Sequence, residues 1–206
     1  MIEHVLFWPH PPLLLAEYAS LADPGAGVRR AALALLDGLD PAARVVVLTD
    51  APEWPSTRRT PLGERVAREL LARVGREPAA VLAVAENADT ATVEAAAERV
   101  RAATTDASVL LVLGDGSARR GLKAPGHLDE RAAPLDGAIG EVLAAADPAG
   151  LRALDTALCA ELMVAGRAPW QVAGAVLAGQ RWRADRVGFD DPFGVGYHLA
   201  RWTCAD

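Results

Sequence analysis

The sequence predicts a single α/β domain with a mostly parallel or mixed central sheet, flanking helices and a C-terminal β-hairpin. Two observations carry this. Short apolar runs rich in branched residues alternate with stretches of helical periodicity over most of the chain. Near the end, residues 181–189 and 194–203 alternate in polarity around Asp190-Asp191-Pro192-Phe193, which is the pattern of a hairpin. A chain of 206 residues, half of them hydrophobic, can build one domain with a sizeable core.

Taken in order, residues 2–8 form an apolar run stopped by Pro9, the first strand. In Pro9-His10-Pro11-Pro12-Leu13-Leu14-Leu15-Ala16-Glu17, the prolines fix much of the backbone and forbid a regular helix. His10 is then held at a strand's C-terminal end, as a pre-organised group or as an ordinary surface or hydrogen-bonded histidine. Asp23-Pro24-Gly25 is a turn, and residues 28–39 have helical spacing ending near Gly38. Residues 44–49 are the second strand by their branched content. The loop 50–57 comes next, opened by Asp50, which suits a metal, a hydroxyl or a turn cap equally.

Residues 62–74 predict a helix with a charged outer face, and 79–85 a third strand. A helix with Asp89 or Thr90 as N-cap runs to about residue 104. Residues 108–113 are the fourth strand. After the loop 113–131 come a helix over 134–146 and Asp147-Pro148, with Pro148 in the first turn of the next helix. One or two helices fill 149–165. Gly166-Arg167-Ala168-Pro169-Trp170 is expected to interrupt the helical run, which resumes over 171–178.

Composition excludes several classes. The net charge of −6 argues against a general nucleic-acid surface. No apolar stretch reaches the length of a membrane span. No basic segment followed by an apolar one marks a signal peptide. Two cysteines, Cys159 and Cys204, lack metal-type spacing and suggest no disulfide framework, so a cytoplasmic setting is expected.

Ligands of such sheets bind beyond the carboxyl ends of the strands. The loops 10–17, 50–57 and 115–131 lie there, and the 166–170 segment could join them. The third loop stands out. Arg119, Arg120, Lys123 and Arg131 are set among Gly114, Gly116, Gly121 and Gly126, and Lys123 is the only lysine in the chain. The loop is either a solvated turn-rich segment or a place for an anion. Gly114-Asp115-Gly116 is only a fragment of a phosphate-cradling motif, and Pro125 comes too soon after it. Gly116-Ser117 lacks the second glycine of a hydrolase elbow, so nucleophilic chemistry would need Ser117 paired with His10. No zinc-type spacing of histidines or cysteines is present.

Three pieces in order then become informative. P-H-P-P-L-L-L-A-E follows strand 1, G-D-G-S-A-R-R with K-A-P-G follows strand 4, and A-G-R-A-P-W lies in the late helical region, before F-G-V-G-Y. Together they resemble the class III extradiol ring-cleavage dioxygenase superfamily, in its catalytic-chain type and the Memo-like relatives, and a small actinobacterial branch. The resemblance spans nearly the whole chain. It implies a non-haem Fe(II), or another divalent metal, held by two histidines and a third ligand, with a further histidine as acid/base, because substrate and O2 must bind side by side.

Carried over residue by residue, His10 matches the first ligand histidine and Glu17 the acid after P-H-P-P. The second ligand histidine falls in Thr49-Asp50-Ala51-Pro52, where Asp50 is the available oxygen donor. The acid/base histidine falls on Ala118, and the ligand cysteine of Memo-like proteins on Ala165. His10, Asp50 and Glu17 are therefore the metal candidates if a metal binds. Asp115 and Ser117 are the catalytic candidates. His10, Glu17, Arg119, Arg120, Lys123 and Arg167 are the ligand-binding candidates, since arginine suits carboxylate or phosphate recognition.

The leading expectation is a member of this superfamily that keeps fold and pocket but not iron catalysis, binding a small polar or anionic, in one version aromatic, ligand. The alternatives are an active metal-dependent oxidoreductase with an unusual site around His10, and a non-enzymatic interaction domain. The expected partner is a small molecule, with no nucleic acid and no membrane. A homodimer is left open.

Overall fold

A computed structural model describes residues 1–18, 23–51, 60–105 and 107–205. They form one six-stranded mixed sheet flanked by helices, with a C-terminal antiparallel hairpin. The strands are β1 (Ile2–Trp8), β2 (Arg44–Ala51), β3 (Pro78–Ala85), β4 (Ser108–Leu113), β5 (Arg181–Asp190) and β6 (Tyr197–Ala205), in spatial order β3-β2-β4-β1-β6-β5. The first four are parallel, and β6 runs antiparallel to both β1 and β5.

The helices are α1 (Ala26–Ala34), α2 (Leu62–Ala72), α3 (Thr90–Ala103), α4 (Ala132–Ala145), α5 (Pro148–Arg152), α6 (Thr156–Glu161) and α7 (Arg167–Leu177). Asp89, Asp147 and Asp155 cap α3, α5 and α6 by accepting from the amides of Thr92, Ala149 and Leu158.

Every residue of β4 is buried. The cause is a helical layer on each face. Val5, Phe7, Val46, Leu48, Leu110 and Val112 point into a core shared with α3, α4 and α7. Leu6, Trp8, Val45, Val47, Leu111 and Leu113 point into a second core shared with α1 and α2. Strands buried on both sides lose polar alternation and read as continuous apolar runs.

This layering creates the crevice. The chain leaves β1 and β2 toward helices on one face, α1 and α2, but leaves β4 toward α4 on the other. Because β4 lies between β2 and β1, its carboxyl end sits at a switch point, where neighbouring loops diverge and a ligand can enter.

Two sequence expectations need correction. The helix expected over 28–39 ends at Ala34 and continues as turns. The 166–170 segment does not interrupt a helix; it opens α7, which is buried along its whole length. Pro169 lies in the first turn, where its missing N–H has no intrahelical partner to lose. No helix among the described residues is long and apolar enough to cross a membrane.

Candidate functional site: a cleft over the carboxyl ends of the strands

The segment after β1 makes two short 3-10 turns, Pro12–Leu14 and Ala16–Tyr18. Buried Arg29 of α1 pins it by donating to the carbonyls of Leu13 and Leu14 while pairing with Asp23 at 2.8 Å. The Ala16 amide donates to Glu69 of α2 at 2.8 Å. His10 is thereby fixed and only 4% exposed.

His10 joins the ends of three adjacent parallel strands. Its Nε2 lies 3.0 Å from Asp50 Oδ1, at the end of β2. Its backbone N–H donates to Asp115 Oδ1, just after β4, at 2.8 Å. Its Nδ1 stands 3.6 Å from that same oxygen, beyond hydrogen-bond length. Burial disfavours the charged ring, but Asp115 and Asp50 outweigh it and raise the His10 pKa to about 9. Burial also works against the Asp50 carboxylate, yet His10 and the Thr49 hydroxyl hold its pKa below the usual value. Asp115 goes the other way, because burial dominates over the attraction of His10.

The loop after β4 is clamped against two other segments. Gly116 N–H donates to Gly196 O at 2.7 Å, Gly196 N–H to Ser117 O at 2.9 Å and Arg120 N–H to Gly194 O at 3.0 Å. On the other side Gly166 N–H donates to Asp115 O at 2.8 Å. A Cβ on Gly114 would stand 2.4 Å from Gly166 Cα, so both backbones need glycine to approach. This contact brings the start of α7 to the end of β4.

Beside it opens a cleft of about 790 Å³. Its walls are mainly apolar, with Pro11, Pro12, Met163, Phe193 and Val195 among them, and Asp115 and Lys123 as polar groups. Ala118 and Ala165, where the dioxygenase pattern expects a histidine and a cysteine, both line it. So does Cys159, whose thiol burial pushes up to about 11, leaving it neutral.

The structure places the other candidates as follows. Glu17 is exposed and pairs with Arg65 of α2 at 2.7 Å, so it does not join His10 and Asp50. The 3-10 turn after the prolines carries it outward. Ser117 is fully buried, donating from Oγ to Leu162 O at 2.7 Å and accepting from the Arg119 amide, and so positions the loop. Arg119 donates to Glu161 O at 3.0 Å. Arg120 pairs with Asp136 at 3.2 Å and Asp191 at 2.7 Å, and lies over the Phe189 ring. Arg167 is buried in the cleft wall and donates to Ala88 O at 2.6 Å and to Glu86 O. Lys123 is exposed at the cleft. Of the loop 50–57, residues 52–57 lie outside the described residues.

Sequence reasoning missed one organising residue. In sequence Asp136 of α4 reads only as a surface partner for arginines, yet it is 2% exposed. Its Oδ1 accepts from the Ser117 amide at 3.0 Å and lies 3.3 Å from His198 Nε2, and its Oδ2 meets Arg120. A signal existed. Ala132, Asp136, Ile139 and Leu143 form the buried stripe of α4, so an acid stands in an apolar series. His127, by contrast, is an exposed loop residue next to Leu122 O.

An Fe(II) of the dioxygenase kind does not fit this arrangement. Asp50 and Asp115 lie at opposite nitrogens of the same imidazole, so they cannot converge with it on one ion. Glu17 points away, and alanines stand at the histidine and cysteine positions. Among the described residues no three His, Cys, Asp or Glu side chains are placed to hold one metal ion. In comparisons with known proteins, no family model matches the chain and no curated protein matches it. The fold and cleft therefore define only a class: an α/β domain with a candidate small-molecule site at its switch point.

Proposed function

We propose that this protein binds a small, largely apolar molecule in the cleft, with a hydrogen-bonding group of that molecule meeting Asp115, and that it does so without an iron centre. The observation that carries this reading is the coincidence of three positions in one cavity wall. Asp115, Ala118 and Ala165 all line the cleft. An extradiol-like ancestor would explain the order of motifs, and the two alanines would then be where metal chemistry was replaced by space. The apolar walls favour an apolar or aromatic body over the wholly polar ligand that the basic loop suggested, since most of the loop's arginines are engaged elsewhere. Asp115 is also the polar group best held for proton exchange, because His10 fixes its carboxyl from behind.

The neutral fluorescent probe N-phenyl-1-naphthylamine tests the reading. It should bind one per chain with enhanced emission. Ala118→Trp places an indole in the cleft and should weaken binding roughly tenfold or more, since tenfold corresponds to only about 1.4 kcal/mol. Unchanged thermal unfolding would show the variant folded. Equal binding by both proteins would move the site elsewhere.

A further inference from the structure

We infer that the natural ligand is a carboxylate with an apolar body, its anionic end held by Lys123 at the cleft mouth. This rests on the cleft reading above and names the ligand class for that site.

The inference comes from tracing where each nearby cation goes. Arg120 is neutralised by Asp136 and Asp191, and Arg131 by Asp129 and Glu161. Arg119 spends a donor on a backbone carbonyl. Arg167 stands in the wall with its donors on the carbonyls of Glu86 and Ala88 and on Gln171, so it contributes charge but no ion pair among the described residues. Lys123 alone has neither a carboxylate nor a carbonyl partner among the described residues, and it lines the cleft.

Its position suits a mouth contact. Lys123 and Phe193 both line the main cleft and an adjoining hollow of about 450 Å³. The ammonium and the ring thus share the rim. Gly194 keeps this rim in place: its φ is +72°, and a Cβ there would lie 2.7 Å from Ala124 Cβ. The acidic groups of the cleft decide the ligand's charge. Asp115 and Glu86 also line it, and Glu86 follows β3, four strand positions from β6 in the sheet order. At about 4.8 Å per strand that is roughly 19 Å, so Glu86 belongs to the far end. One accessible ammonium balances one negative charge. A phosphate dianion would leave a second charge facing Asp115 without a partner, which favours a carboxylate.

Three isosteric probes separate the possibilities by titration calorimetry: 2-naphthoate, neutral 2-naphthamide and 2-naphthyl phosphate. At low salt the naphthoate should bind about 3- to 5-fold tighter than the amide, the scale of an exposed ion pair. That preference should shrink as NaCl is added. It should vanish in Lys123→Gln, with amide binding unchanged, and survive in Lys123→Arg. Because Lys123 is exposed, these variants should fold normally. If the amide binds as tightly as the naphthoate, the Lys123 assignment is wrong while the cleft reading stands. A naphthoate preference that persists in Lys123→Gln overturns the anchor in the same way. Tighter binding of the phosphate ester overturns the carboxylate class. Binding of none of the three, and no binding of N-phenyl-1-naphthylamine, overturns anchor and cleft together.

Discussion

Asp136→Ala should lower the free energy of unfolding by about 3–5 kcal/mol, the loss seen when one partner of a buried charge pair is removed. Asp136 is a knot between three parts of the site. It takes the Ser117 amide from the loop after β4, the Arg120 guanidinium from the same loop and the His198 ring from β6. Removing it leaves Arg120 with Asp191 alone and the Ser117 amide buried without an acceptor. The surrounding backbone cannot close over the gap, because Gly116 and Gly196 already press against the carboxylate. Asp136→Asn should cost less, since an amide oxygen still accepts from Ser117 but does not balance Arg120. Urea unfolding of both variants measures this. A loss below about 1 kcal/mol for the alanine variant would place Asp136 among ordinary surface acids.

Stability should fall as pH rises from about 6.5 to 9. His10 binds its proton more tightly in the folded protein, at about 9, than at its ordinary value of 6.5. Its contribution is therefore complete below 6.5 and is lost as pH rises through 9. Each tenfold gain in proton affinity is worth about 1.4 kcal/mol, so the loss approaches roughly 3 kcal/mol. Asp115, also raised, adds a loss in the same direction at lower pH, as it gives up its proton. Asp50 acts oppositely: held low, it stabilises above the ordinary carboxylate range and loses that contribution only as acid protonates it. The optimum thus lies on the mildly acidic side of neutrality. Urea midpoints across this pH range should decline, and His10→Gln should flatten the decline. A flat or rising profile in the unsubstituted protein would mean that the imidazole is neutral between its two carboxylates.

Much of the architecture was legible because both faces of the sheet are covered. Strands such as Ser108–Leu113 stand out when nearly all their residues are apolar, and the hairpin stands out because β5 is largely exposed. His10 and Asp115 were legible as site residues because strand ends are where loops converge. What stayed hidden depended on long-range partners. Asp136 and His198 are 62 residues apart, and nothing local to either marks the other. The arginines of the 114–131 loop looked available, because their partners, Asp191, Asp136 and the Glu161 carbonyl, come from distant segments. Glu17 looked close to His10 in sequence, but two 3-10 turns rotate it to the surface. The start of α7 was misread because Pro169 breaks a helix anywhere except in its first turn.

If the cleft binds its ligand through Asp115 and apolar walls, without iron, then removing metal must leave binding intact. The most direct measurement is the affinity of N-phenyl-1-naphthylamine for protein stripped with a strong chelator, compared with the same protein given stoichiometric Fe(II) under anaerobic conditions. One site with the same dissociation constant in both is the expected result. Binding that appears only after Fe(II) is restored, and disappears again in His10→Ala, would contradict it.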